Sequence, residues 1–341
     1  MAAGAFKSRW LGAPLAHLPP DTPPLLLVVI DTEEEFDWTG PFDRNATQTE
    51  SIASQVLAQE IFDRFQLRPT YVIDYPVAST PSAANVLRRF QDEGRCQIGT
   101  HLHPWVNPPH EETLSPRNSF PGNLDATLEG RKLETLTATI ESAFGMRPVL
   151  YKAGRYGLGA ASADIMQSLG YQVDLSVVPH TSFAKDEGPD FVGLPDRPFW
   201  FGNGNGLLAI PLSRGFVGLA HRFGPALYQA LSAPLAARLR LGGIAARAHI
   251  LERITLSPEG FTLDELCALA RTLVADGHKV ISLTYHSPSL APGHTPYVRT
   301  QRDLQVFLKG IEGFIRFFLE ALGGRPSTPL EIKRLAAQNF R

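Results

Sequence analysis

The chain has 341 residues, enough for two ordinary domains or one large α/β barrel, and 43% of them are apolar, so a sizeable core is available. Its formal net charge of −2 gives no electrostatic reason to expect nucleic acid or an anionic membrane as partner. Two cysteines, Cys96 and Cys267, cannot build a disulfide framework, and a reducing compartment is the simpler expectation.

Residues 1–24 carry Lys7 and Arg9 and then Pro14, Pro19, Pro20, Pro23 and Pro24, which makes a poor secretory core and reads as an irregular arm. The apolar run 25–30 is too short to span a bilayer and ends in acid, so it reads as a buried strand, and a cytoplasmic location with no membrane span is expected. The spacing of Ile52, Val56, Ile61 and Phe65 predicts a helix over 48–65. A strand at 70–73, a helix at 81–93 and a strand at 96–99 follow. Leu128, Leu133, Leu136 and Ile140 form one stripe of a helix over 125–144, with Gly145 as its stop signal. Next come a strand at 147–151, a short helix at 162–169 closed by Gly170, and a strand at 171–175.

The segment 180–206 is rich in Pro, Gly and Asn and reads as an ordered insertion. A strand at 207–212 and an Ala/Leu/Arg-rich stretch over 225–251, one or two helices, come after it. A helix over 262–275 has Asp264 and Glu265 in its first turn, the last strand lies at 279–283, and helices over 300–322 and 329–339 close the chain. No internal repeat or low-complexity linker interrupts this order, so residues 25–341 are expected to form one domain. Strand–helix alternation argues for a parallel sheet covered by helices, and seven candidate strands favour a barrel, complete or not, over an open sheet.

In such barrels chemistry sits at the C-terminal ends of strands. The polar oddities of this chain fall there repeatedly: Asp31-Thr32-Glu33-Glu34-Glu35 after the first strand, His101-Leu102-His103 after the third, Lys152-Ala153-Gly154-Arg155-Tyr156 after the fourth, Asp174 in the fifth, and Tyr285-His286 after the last. Residues i and i+2 of a strand point the same way, so His101 and His103 can aim two imidazoles at one first-row metal ion.

These segments resemble the motifs of the polysaccharide deacetylases of the NodB-homology type, carbohydrate esterase family four. Leu27-Val28-Val29-Ile30-Asp31 resembles the first motif, a strand ending in a catalytic aspartate, and Ile98-Gly99-Thr100-His101 with His103-Pro104 resembles the metal-binding second. Residues 151–157 resemble the third motif, Gly170-Tyr171-Gln172-Val173-Asp174-Leu175-Ser176 the fourth, and Leu283-Thr284-Tyr285-His286 the fifth. The resemblance covers residues 25–290 and implies a distorted (β/α) barrel that removes N-acetyl groups from sugars with a divalent metal, zinc first and other first-row ions open. There are departures. The family usually has two adjacent aspartates in its first motif, where this chain has Thr32, and it separates the histidines by three residues, where here one intervenes. Both departures resemble a divergent subgroup associated with surface-polysaccharide synthesis.

Carried over residue by residue, the resemblance makes His101 and His103 metal ligands, with Glu33 the nearest carboxylate to complete the set. Glu34 and Glu35 are expected to be solvated, though either can exchange roles with Glu33. Asp31 is the general base and His286 the general acid. Arg155 or Lys152 holds Asp31 ionised, with Arg155 favoured by the extra residue in that segment, and Asp174 fixes the cation. The backbone N–H of Tyr156 faces the oxyanion. Trp105 is either a sugar-stacking or a core aromatic, and Trp38 and Trp105 lining an open groove would favour a saccharide substrate. Two other functions remain open: a barrel amidohydrolase acting on a small non-sugar or cyclic amide, and a catalytically inactive carbohydrate-binding barrel.

Overall fold

In the computed structural model, residues 10–37, 40–233, 238 and 240–339 are described. Their strands are β1 (Leu25–Thr32), β2 (Thr70–Ile73), β3 (Gln97–Leu102), β4 (Leu150–Ala153), β5 (Val173–Asp174), β6 (Phe199–Phe201), β7 (Leu207–Ala209), β8 (Arg214–Val217), β9 (Glu252–Thr255), β10 (Val280–His286) and β11 (Arg325–Pro326). The main sheet runs β10-β1-β2-β3-β4-β5-β7-β6, with β11 beside β1. From β10 to β7 every pairing is parallel, which gives the seven strands expected from the sequence, and β6 joins β7 antiparallel. The sheet curls into a distorted (β/α) barrel. The gap between β7 and β10 is bridged by the separate β8–β9 pair, where Leu256 N donates to Ser213 O at 2.8 Å and Thr284 N to Leu256 O at 3.0 Å.

Strand β1 shows how the barrel is built. Leu26, Val28 and Ile30 pack outward into the large core beneath the helices. Leu25, Leu27 and Val29 face the barrel interior with Val72, Leu150, Val173 and Leu208. This period of two puts both faces in apolar surroundings, so the strand reads as an unbroken apolar run. Ile332 and Ala336 of the helix Pro329–Ala337 belong to the interior cluster and plug one end of the barrel. The other end is polar, and it is where the strands finish.

Helix expectations hold to within a few residues where caps mark them. Asp125 caps Ala126–Phe144 through Thr127 N and Gly145 ends it in the left-handed conformation, while Thr262 and Thr300 form capping boxes with Glu265 and Asp303. Strands β3, β4 and β10 continue past their expected ends to Leu102, Ala153 and His286, because parallel pairing extends to where the polar residues begin. Strands β6, β8 and β9 have no clear alternation, and the sequence did not announce them. The stretch 225–251 holds two short helices among the described residues, Gly224–Leu231 and Leu241–Arg247, and runs directly into β9. Among the described residues no helix is long and apolar enough to cross a membrane.

Candidate active site

The interior series of β1, Leu25, Leu27 and Val29, turns acidic at its C-terminal end in Asp31 and continues to Glu33 just beyond the strand. The interior series of β10 likewise runs Val280, Ser282, Thr284, His286, and register sets Asp31 beside His286. On β3, Leu102 packs outward into the core while His101 and His103 face inward, and His101 is level with Lys152 of β4. Parallel register therefore delivers Asp31, His286, His101 and Lys152 to one mouth of the barrel from four strands.

Glu33, His101 and His103 offer ligand atoms that all lie within 4.8 Å of one another. Nε2 of His101 and Nε2 of His103 each stand 3.5 Å from Glu33 Oε2. The other ring nitrogens are tied: His101 Nδ1 lies 3.0 Å from Lys152 O, and His103 Nδ1 lies 2.8 Å from Glu34 Oε2. Outer hydrogen bonds of this kind orient metal-ligating histidines. Two imidazoles and one carboxylate, each aimed by a second partner, suit a divalent first-row cation. Glu33 is itself held by its backbone N–H, which donates to Ser287 Oγ at 3.0 Å. Burial alone would raise the Glu33 carboxyl, but His286, His101 and His103 more than offset that and leave it below its ordinary value.

Lys152 Nζ donates to Asp31 Oδ1 at 2.5 Å, with both groups buried. Burial pushes Asp31 up, yet the charges of Lys152, His101 and His286 prevail and hold it below the usual carboxylate range. On the other side, His286 Nε2 is 3.7 Å from Asp31 Oδ2, while its Nδ1 is 2.7 Å from Glu259 Oε2 and its backbone N–H donates to Glu259 Oε1 at 3.0 Å. Burial disfavours the imidazolium, but Glu259, Glu33 and Asp31 overcome it and raise His286 well above an ordinary histidine. A carboxyl pushed down and an imidazole pushed up thus face one another beside the donor set.

Several sequence expectations are corrected by this geometry. Arg155 is not the partner of Asp31; Lys152 is. Arg155 instead donates through Nη1 to Ser119 Oγ and to Pro116 O at 3.3 Å, and its guanidinium lies 4.1 Å from the centre of the Phe120 ring. Asp174 does not touch the cation either. Val173 and Leu175 occupy the interior positions of that segment, so Asp174 points the opposite way, where Ser176 Oγ donates to it at 2.6 Å and in turn accepts from Ala153 N at 2.7 Å. Burial, set against the Ser176 bonds and Lys152, pushes Asp174 up to about 7.

Glu34 is not solvated but fully buried, accepting from Trp105 Nε1 at 2.9 Å as well as meeting His103, and its own backbone N–H donates to Asp74 Oδ2 at 2.7 Å. Burial first, with the neighbouring carboxylate of Glu33 adding to it, raises Glu34 to about 7. Glu35 is also engaged, accepting from Ser51 N at 2.6 Å with His294 Nδ1 at 3.4 Å. Trp105 is a core aromatic, 1% exposed and stacked on His103 at 4.2 Å between ring centres, so it does not face a sugar. Trp38 lies outside the described residues. Glu259, Asp74 and Ser287 escaped sequence reasoning. Glu259 sits in a Ser-Pro-Glu-Gly turn after a strand that had no pattern of its own, and only the barrel's closure brings it to His286.

Tyr156 has a left-handed backbone (φ +59°), as does Arg155 (φ +52°), and its ring lies 5.2 Å from Lys152 Nζ and stacks on Phe183. Asp31, Glu33, His101, His103 and His286 open into a cavity of about 330 Å³ whose walls include Phe36, Phe120, Tyr156, Phe183 and Tyr297. Pockets of this size admit a small ligand.

No protein-family model matches the chain, and no curated protein matches it. Solved structures do. One described as a glycoside hydrolase/deacetylase from Parabacteroides distasonis is similar at a TM-score of 0.61 and 11% identity, over 95% of this chain and 74% of that one. One described as a polysaccharide deacetylase from Mycobacterium smegmatis is similar at 0.54 and 14% identity, over 95% and 97%. The chain has a polysaccharide deacetylase fold. An allantoinase shares that fold at a TM-score of 0.56 and 14% identity, over 96% of this chain and 94% of that one. Likeness at this level shows the fold, and function has to be argued from the site.

Proposed function

We propose that this chain is a metal-dependent hydrolase that removes N-acetyl groups from a glycan or glycan precursor. One observation carries the reading: Asp31 and His286 stand 3.7 Å apart beside the Glu33–His101–His103 donors at one mouth of the barrel. A divalent cation, zinc the first expectation, held by those three donors would polarise the amide carbonyl and lower the pKa of water to about 7. Asp31, kept ionised by Lys152, accepts a proton from the attacking water. His286, kept protonated by Glu259, passes its proton to the nitrogen as the C–N bond breaks, so acetate and a free amine leave. The backbone N–H of Tyr156 faces the developing oxyanion. The aromatic walls of the cavity suit the flat faces of a sugar ring.

The likeness to an allantoinase supports a second reading, in which the same residues open a small cyclic amide. The purified chain, loaded with zinc, is offered N-acetylglucosamine oligomers and allantoin in parallel. About one ion per chain and acetate release from the oligomers are expected. Asp31→Asn and His286→Ala each abolish release while the ion stays bound. Ring opening of allantoin without acetate release selects the second reading. Absence of metal after zinc addition, or full activity in either variant, refutes the mechanism.

A further inference from the structure

With Lys152 buried on Asp31, Arg155 lines the cavity with no catalytic acid to hold. Its surroundings are those of a recognition group. Nη1 is anchored on Ser119 Oγ and Pro116 O, and the guanidinium lies 4.1 Å from the centre of Phe120 and 5.4 Å from that of Phe42. Nε and Nη2 have no hydrogen-bond partner among the described residues, and no carboxylate there forms an ion pair with the group. Asp186, whose charge acts on Arg155, lines the same cavity but is exposed, so water screens it. A partly buried guanidinium with one edge open is placed to take an anion from outside the chain.

The backbone fixes where that free edge stands. Arg155 and Tyr156 are successive non-glycine residues in the left-handed region, which L side chains disfavour and which persists where the surroundings demand it. Gly122 N donates to Gly157 O at 2.7 Å and staples the loop from behind. Before it, Gly154 packs so tightly that a Cβ there would fall 2.5 Å from His103 Cδ2 and closer still to Leu102 O. The guanidinium is thereby held in fixed relation to the His103 donor.

We propose that Arg155 docks an anionic substituent, carboxylate or phosphate, carried by the acylated saccharide whose amide lies at the Glu33–His101–His103 donors. The inference rests on the deacetylase reading for the identity of the sugar. A planar fork with one nitrogen tied and one edge open matches a two-oxygen anion, and the aromatic surfaces lower the local dielectric in which they meet. The substrate class is therefore an acidic or phosphorylated N-acyl sugar rather than a neutral chitin-like chain.

Calorimetric titration of the zinc-loaded chain with N-acetylglucosamine, N-acetylglucosamine 1-phosphate and the 6-carboxylate of the same sugar tests this, with amine release followed on the same three probes. At least one charged probe is expected to bind about tenfold or more tightly than the neutral sugar, and which one does identifies the anion. Arg155→Gln should erase that ratio, and Arg155→Lys, which keeps the charge without the fork, should restore part of it. Equal binding of charged and neutral sugars to the native chain, undetectable binding included, overturns the proposal. So does a preference that survives in Arg155→Gln. A charge preference without amine release sinks the deacetylase reading and leaves Arg155 as an anion site; amine release without preference does the reverse.

Discussion

Glu259 is the residue on which the proton economy of the site turns, and Glu259→Gln isolates its charge while keeping its shape. The carboxylate accepts from both the backbone N–H and Nδ1 of His286, at 3.0 and 2.7 Å, and from Ser289 Oγ at 2.5 Å. A glutamine can still accept from Nδ1 through its one oxygen, at the cost of turning its NH2 toward the His286 backbone N–H, and the negative charge facing the imidazolium is gone. A hydrogen bond to a charged group contributes about 1.5–3 kcal/mol. At about 1.4 kcal/mol per factor of ten, its loss lowers the His286 pKa and cuts the protonated fraction on the alkaline side about 10–100-fold. In the proposed mechanism protonated His286 is the active form, and its pKa in the native chain is raised well above the ordinary histidine value. The alkaline limb of kcat/KM for acetate release should therefore move toward neutral pH, with the maximal rate changing less than the position of the limb. The measurement is a pH–rate profile of native and variant enzyme at constant ionic strength, with metal content checked at each pH. An alkaline limb that stays where it was, in a variant that folds and binds metal normally, would refute the assignment of His286 as the acid.

Three further outcomes follow from other parts of the structure. Glu34→Gln removes the carboxylate that orients His103 without touching the donor set, and the affinity for zinc should fall about 10–100-fold in a competition assay. Gly154→Ala drives a methyl group against Leu102 O and His103; it should cost about 1–3 kcal/mol in denaturant unfolding and reduce bound metal together with activity. Glu129, on the helix behind the Arg155 loop, is pushed up to about 7 by burial, only partly opposed by its bond from Ser162 Oγ. The folded state then binds this proton more tightly than the unfolded chain does, so the contribution is full below about pH 4.5 and is lost as pH rises through about 7. Glu129→Gln should gain on the native chain across that window by about 3 kcal/mol, read from urea midpoints, and a difference independent of pH would contradict the assignment.

What the sequence disclosed and what it hid divide along a physical line. Strands with both faces buried announce themselves as apolar runs, and the polar residue that ends each run is then a candidate for the barrel mouth. Asp31, His101, His103 and His286 were legible for that reason. The partners that aim them were not. Lys152 competed with Arg155 because both follow the same strand, and only the alternation of β4, with Leu150 inside and Tyr151 outside, shows that Lys152 is the inward one. Asp174 failed by the same rule, since its neighbours Val173 and Leu175 hold the interior positions. Glu34 looked like one acid among three in a charged turn, and nothing local shows that Asp74 and Trp105, distant in sequence, close over it.

The two departures from the family pattern account for one another once the alternation of β1 is followed to its end. A second aspartate is expected at position 32, but residue 32 faces away from the side shared by Asp31 and Glu33; Thr32 is buried there, its hydroxyl donating to Ile30 O at 2.9 Å. The carboxylate that stands beside the two imidazoles is that of Glu33, one residue later on a longer side chain. The chain past the strand then places Glu33 against Nε2 of His103 and Glu34 against its Nδ1, so two consecutive acids clasp one imidazole from opposite edges. On β3 the shortened histidine spacing uses the same period of two, which keeps both rings on one side with Leu102 turned into the core. A strand-borne pair of histidines needs its carboxylate at a strand-like offset too, and Glu33, two residues beyond Asp31, has that offset. Inserting one residue between Asp31 and Glu33 would carry Glu33 into the place of Glu34, against Nδ1 of His103, and leave its Nε2 facing no carboxylate.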